Sequence, residues 1–291
     1  MEELALIIFT ICVQSAIGIM VFATIAKYLN KDGIFKTAVV CAAGLAIIGL
    51  LASFLHLGQP IRALNSLAHF ATSWLSREIW FTSAFTGLTV LAALMILFKP
   101  TAKGAIQALV ALAALIGLVD VYAMASIYTF TSIPAWNSGS VTIEFYAAAL
   151  SMGAVFFLAL SGAEGAKVSQ SATIIAGIAI ALQVVSMAGY TIQLGTNNSL
   201  AAQQSLSVLS GMSGAMIVKW LFILFGTGLL FLPLQKQQFN VSASGQATAV
   251  VAAAGTASIS LYAAAALLII GQIVGRYLFY SIMIISRVGL S

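Results

Sequence analysis

Apolar residues in this chain neither alternate with polar ones nor keep to one face of a helix; they come in long unbroken runs. Runs of roughly 20 residues suffice to cross the hydrocarbon core of a bilayer as helices. Eight such helices are expected, over about 4–28, 37–57, 78–98, 104–128, 141–161, 171–192, 214–233 and 255–283. Strands of a membrane barrel would show a two-residue period, which is absent here. Polar segments punctuate the runs. In Lys99-Pro-Thr-Ala-Lys-Gly104, Pro100 ends one helix and permits a turn. The connection from Thr129 to Ser140 is polar and carries Pro134 and Trp136, and the link from Gly195 to Ser213 is uncharged and rich in Ser, Asn and Gln. No internal repeat and no linker divides the chain. The expected fold is therefore all-α: a polytopic bundle of eight transmembrane helices, with residues 1–291 as a single integral membrane domain.

Composition strengthens this picture. The 291 residues are 62 % hydrophobic and only 7 % charged, with a mean hydropathy of +1.09; a soluble domain carries roughly a quarter charged residues. The net charge of +5 is dispersed over short loops, which speaks for membrane topology and against nucleic-acid binding. Met-Glu-Glu precedes the first apolar run. A secretory signal would open with positive charge and have a shorter apolar core, so this run is expected to be a retained helix. With the N-terminus outside, the cytoplasmic loops hold Lys27, Lys31, Lys36, Lys99, Lys103, Lys167 and Lys236, while the outer segments hold Arg62, Arg77 and Arg287. Seven positive residues against three favour both termini on the outer, periplasmic side.

The remaining polar chemistry is concentrated. Residues 55–78 contain both histidines, His56 and His69, together with Arg62, Arg77 and Glu78. The assigned topology places this segment on the outer face. Pro60 suits a first helical turn, and Ile61, Leu64, Leu67 and Ala68 recur at helical spacing, so a short surface or re-entrant helix is expected there. Glu78 would open the third span, where the helix dipole favours an ionised carboxylate. Asp120, Glu144, Lys219 and Arg276 lie inside apolar runs, all in the outer half under this topology. Intramembrane charge is costly and faces a bundle interior, paired or lining a cavity. One reading is structural, with paired groups fixing helix register or long side chains snorkelling outward. The other is a polar site near the outer surface. Gln14 and Gln183 alone make a poor relay through the inner half, which argues against a transmembrane proton or ion pathway.

Metal chemistry fits badly. His56 and His69 are thirteen residues apart on one loop and no other histidine exists, so no pair of helices can offer bis-histidine haem ligation. Cys12 and Cys41 are isolated, and no HExxH or CxxC spacing occurs. Quinol oxidation fits better. It releases two protons and two electrons, and histidine and carboxylate suit the proton transfers. Arg62 could orient Glu78 or stabilise a developing anion. The alternative is an amphipathic outer loop whose charges are merely solvated.

The segment Leu55-His-Leu-Gly-Gln-Pro-Ile-Arg-Ala-Leu-Asn65, followed by Ser73-Trp-Leu-Ser-Arg-Glu78, resembles the DmsC-type membrane anchor subunit of anaerobic dimethyl sulfoxide reductases. Gly275-Arg-Tyr-Leu-Phe-Tyr280 and Pro134-Ala-Trp136 are similar to that family as well, and the resemblance extends over essentially the whole sequence. It implies an anchor in the bacterial cytoplasmic membrane that serves anaerobic respiration and has no haem or metal of its own. Such an anchor binds menaquinol near the outer face. It passes electrons to a ferredoxin-like subunit with four [4Fe–4S] clusters and on to a molybdenum-bis(pyranopterin) catalytic subunit on the periplasmic side. The resemblance implies functional roles for His56, Arg62 and Glu78; the intramembrane Asp120 and Arg276 are expected, from their place in the apolar runs, to give the quinol site further polar support. His69 lies outside the pattern and, with Arg77, is expected to be loop structure. Two rivals remain: the anchor of a related polysulfide or other molybdenum reductase, and a small-molecule transporter. Broken midplane helices and repeated halves would favour the transporter, and neither is evident.

Overall fold

The computed structural model describes residues 2–30, 33–55, 67–243 and 250–283. Among these residues the regular structure is helical throughout and contains no strand. The described residues form nine α-helices: α1 (Glu2–Leu29), α2 (Lys36–Leu55), α3 (Trp74–Phe98), α4 (Lys103–Thr129), α5 (Gly139–Ser161), α6 (Ala166–Thr196), α7 (Leu200–Gly211), α8 (Ser213–Ala243) and α9 (Val250–Ser281). Short 3-10 turns occupy Leu67–His69 and Gly162–Gly165. All but α7 contain a stretch long and apolar enough to span a membrane, so the eight expected crossings are present. α7 lies within the polar link that the hydrophobic pattern leaves unstructured.

Burial is inverted relative to a soluble bundle. Large apolar side chains such as Leu51, Leu115, Val185 and Ile192 point outward, while alanines such as Ala16, Ala23, Ala42, Ala46, Ala148 and Ala154 fill helix contacts. Lipid tails are as apolar as leucine, so helix association relies on close packing of small residues. α1 and α5 are the most buried spans and form the centre. α2 and α4 also pack against α1, while α6 and α9 pack against α5. The closest approach is glycine on glycine: a Cβ on Gly18 would strike the Ala149 carbonyl oxygen, and one on Gly153 would strike the backbone of Gly18.

The two ends of the bundle are built differently. At the end where α1 finishes, the α1–α2 turn is strapped to the α5–α6 turn. Phe35 takes the left-handed φ of 50°, its N–H donates to Glu164 Oε2 at 2.9 Å, and its ring packs on Phe157 at 5.4 Å. Lys27 Nζ donates to the Gly33 carbonyl at 3.1 Å. The opposite end, where α1 begins and α9 finishes, holds most of the buried charge.

Candidate functional site

α3 begins at Trp74 because Ser73 adopts an extended backbone and its hydroxyl accepts the N–H of Ser76. The helix therefore starts four residues before the expected position. Glu78 lies a full turn inside, 8 % exposed, and does not open the helix as expected. Dipole stabilisation fades within the first turn, so surrounding side chains matter more to Glu78 than the helix end. One turn further along the same face, the Thr82 hydroxyl donates to both Asp120 carboxylate oxygens, at 3.1 and 2.9 Å. Asp120 is fully buried, and Glu78 acts on it electrostatically. Two acidic side chains from adjacent helices thus share one region.

Beside them lies an aromatic cluster. The hydroxyls of Tyr128 and Tyr280 are 3.3 Å apart. The Tyr128 ring meets Trp136 and Phe279 edge-on, each at 5.0 Å between centroids. Trp136 Nε1 donates to the Phe279 carbonyl at 2.9 Å and its ring stacks on Phe279, so the Thr129–Ser140 connection is docked onto the end of α9. Glu78 and Arg276 both act electrostatically on Tyr128. Arg276 is 3 % exposed. Its Nη2 donates to Gln14 Oε1 at 2.7 Å, and its guanidinium lies 3.7 Å from the centre of the Phe145 ring. Its Nη1 has no acceptor among the described residues.

A second charged group sits on the other side of Arg276. Lys219 Nζ on α8 donates to Glu144 Oε1 on α5 at 2.6 Å. Lys219 runs past Gly275, where an added Cβ would come within 3.0 Å of Lys219 Cε. This pair borders a pocket of about 60 Å³ between α5, α6, α8 and α9. Deeper in the bundle, Gln272 Nε2 donates to Gln183 Oε1 at 3.3 Å and lies 3.5 Å from Ser151 Oγ, which ties α9 to α6 and α5.

The sequence-expected residues are therefore distributed as follows. Glu78 and Asp120 act on each other electrostatically, and both Glu78 and Arg276 act electrostatically on the Tyr128–Tyr280 pair. His56 and Arg62 lie outside the described residues. His69 sits exposed in the 3-10 turn, where its carbonyl accepts the N–H groups of Thr72 and Ser73. Arg77 lies 4.2 Å from the Trp74 ring centre and donates to the Phe70 and Ala71 carbonyls at 3.0 and 2.6 Å, the geometry of a loop clamp. Thr82 and Tyr128 escaped the sequence reading. A threonine one turn after Glu78 was a usable signal, because it shares that residue's helix face. Among the described residues, no group of three or more His, Cys, Asp or Glu side chains is placed to hold a metal ion.

Comparison with known proteins decides the family. Residues 1–282 match the DMSO reductase anchor subunit (DmsC) family. The chain belongs to that family. It is similar to YnfH of Escherichia coli (strain K12), an anaerobic dimethyl sulfoxide reductase chain, with 26 % identity over 97 % of this sequence and 95 % of that one. It also resembles the C chain of the anaerobic dimethyl sulfoxide reductase of Haemophilus influenzae, at 31 % identity over 50 % of this sequence and 53 % of that protein. A shorter match, 44 % identical, joins 19 % of this sequence to 18 % of the C subunit of the sulfite dehydrogenase of Allochromatium vinosum. No solved structure matches. As a DMSO reductase anchor subunit, the protein is a membrane component of an oxidoreductase complex, and its long apolar spans are the anchor.

Proposed function

We propose that this anchor oxidises menaquinol at the bundle end that carries Glu78 and passes the electrons to an iron–sulfur partner. That partner in turn feeds a molybdenum subunit that reduces dimethyl sulfoxide. Each menaquinol becomes menaquinone with loss of two protons and two electrons; the electrons leave along the partner's clusters, and the protons must be taken up by side chains at the ring. The single observation that carries the reading is Glu78, a buried carboxyl group beside Asp120 and close in sequence to His56 and Arg62. In this reading Glu78 and His56 accept the hydroxyl protons, and Arg62 orients the headgroup or Glu78. Asp120 and Arg276 set the local charge, and Trp136, Phe145 and Phe279 supply aromatic surroundings suited to a naphthoquinol ring. The excess of Lys in the opposite loops supports a site on the periplasmic face of the cytoplasmic membrane, with both partner subunits on that face. No haem or metal is assigned to this anchor.

The test compares two electron donors in the intact complex. In Glu78→Gln, turnover driven by a menaquinol analogue is expected to fall by roughly 10²–10⁴-fold, the usual cost of losing a general base. Turnover driven by reduced viologen, which bypasses the anchor, is expected to persist. Unchanged quinol-driven turnover in a fully assembled complex would remove Glu78 from the site. The match to a sulfite dehydrogenase component favours one second reading, in which the same site serves a different molybdenum partner and reduces quinone with electrons received from it. Sulfite-dependent quinone reduction by the purified complex would establish that direction.

A further inference from the structure

We propose that the pocket bordered by Glu144 and Lys219 is a second site for the ring of a membrane quinone or quinol, at the same end of the bundle as Glu78 but distinct from the Glu78–Asp120 region. The ligand class rests on the quinol reading above; the site itself rests on its own geometry. Lys219 is 4 % exposed, and a buried ion pair is a poor source of stability because desolvation offsets the attraction. Here the pair is placed where a pocket meets it. One of the three ammonium protons is used on Glu144, which leaves donors for a quinone carbonyl. A carboxylate has about four lone-pair sites. Lys219 and Gln183 engage Glu144, which leaves it able to accept a quinol hydroxyl as well. Donor and acceptor therefore stand side by side, and one site can hold either redox form.

The walls match a ring and not a charged headgroup. Val141, Met216, Leu278, Phe279 and Ile282 line the pocket, and Phe279 offers an aromatic face. The charged residues of the lining, Glu144 and Lys219, pair with each other, so the lining itself presents no unpaired cation to a phospholipid phosphate. A volume of about 60 Å³ exceeds what one water needs, roughly 10–15 Å³, but cannot enclose a two-ring headgroup. The leading carbonyl edge would enter and the rest of the ring would lie along the open side. Gly275 is what lets Lys219 lie across α9 at this depth. Arg276, the next residue, acts electrostatically on Glu144 and keeps one N–H without an acceptor among the described residues.

Photolabelling of the intact complex with an azido-naphthoquinone tests this. Label is expected on peptides containing Val141, Met187, Met216 or Leu278, suppressed by excess menadione. In the charge-neutral double variant Glu144→Gln/Lys219→Met it is expected to fall by roughly tenfold or more, the loss of one charge-assisted hydrogen bond. Removing both partners together leaves neither of the two as a lone buried charge, so the variant is expected to fold. Label confined to residues 56–78 would overturn the second site and leave the Glu78 reading intact. Label at neither place would overturn both. Pocket label that persists under excess menadione, or that phospholipid displaces and menadione does not, would also overturn the proposal.

Discussion

Two acidic regions lie at the same end of this bundle and are satisfied in opposite ways. Glu144 meets a lysine directly, 2.6 Å away on another helix. Asp120, completely buried, is met by the hydroxyl of Thr82 and has a second acidic group, Glu78, for an electrostatic neighbour. Arg276 stands between them, acting on Glu144 and on Tyr128, yet its short contacts are to Gln14 and the Phe145 ring. Intramembrane charge is thus not one phenomenon. A Lys–Glu pair fixes two helices against each other and tolerates burial because the charges cancel locally. An acid beside an acid, held by a neutral hydroxyl, suits a group that changes its proton content during turnover.

The sharpest way to break the contrast is to unbalance the ion pair. Lys219→Met leaves the partly buried Glu144 without its partner and is expected to cost up to about 3 kcal/mol, the low end of the range for a broken buried pair, read as a lowered melting temperature of the detergent-solubilised complex. The double variant Glu144→Gln/Lys219→Met is expected to recover most of that loss, since apolar or neutral replacements of whole buried pairs are often neutral. Failure to recover would mean that the lysine stem packed against Gly275 matters more than its charge.

A smaller effect is expected on the other side. Thr82→Val keeps the shape and removes the hydroxyl from Asp120. Leaving a buried acceptor short of a partner costs about 1–3 kcal/mol, again measured by thermal unfolding. Quinol-driven turnover is the more telling readout. If the acidic region handles protons, turnover should fall in Thr82→Val while viologen-driven turnover holds; if Asp120 is only structural, both should track the amount of assembled complex.

The crossings were legible in the sequence because the bilayer demands about 20 consecutive apolar residues, a requirement that composition alone reveals. The details that were missed have physical causes. Glu78 looked like a helix opener because charge usually marks the end of a span, but the cap is Ser73 and the interfacial Trp74 already belongs to the helix. α7 was hidden because twelve residues rich in Ser and Gln are too short and too polar to stand out against membrane spans; Ser199, whose hydroxyl accepts the N–H of Ala202, was its one local sign. Pairings such as Arg276 with Gln14 could not be read at all. They join residues far apart in sequence and depend on how each helix is rotated about its axis, and uniformly apolar helices leave that rotation unspecified.

The Tyr128–Tyr280 pair offers the finest test of whether the two regions are joined. It lies between them, with the hydroxyls 3.3 Å apart and both rings inside the aromatic cluster. Tyr128→Phe keeps the ring contacts with Trp136 and Phe279 and removes only the hydroxyl. A single hydrogen bond contributes about 0.5–1.5 kcal/mol, so a stability loss of that size is expected by thermal unfolding. If the pair merely packs, Tyr280→Phe should cost about the same and the double substitution little more, because one shared bond is lost once. If the hydroxyls connect the acids to Arg276, either single substitution should also slow quinol-driven turnover, leave viologen-driven turnover unchanged, and bring the two acidic regions to respond independently to Glu144→Gln and Thr82→Val. Additive effects in that background, against coupled effects with Tyr128 present, would show that the tyrosines carry the link between the paired and the unpaired acid.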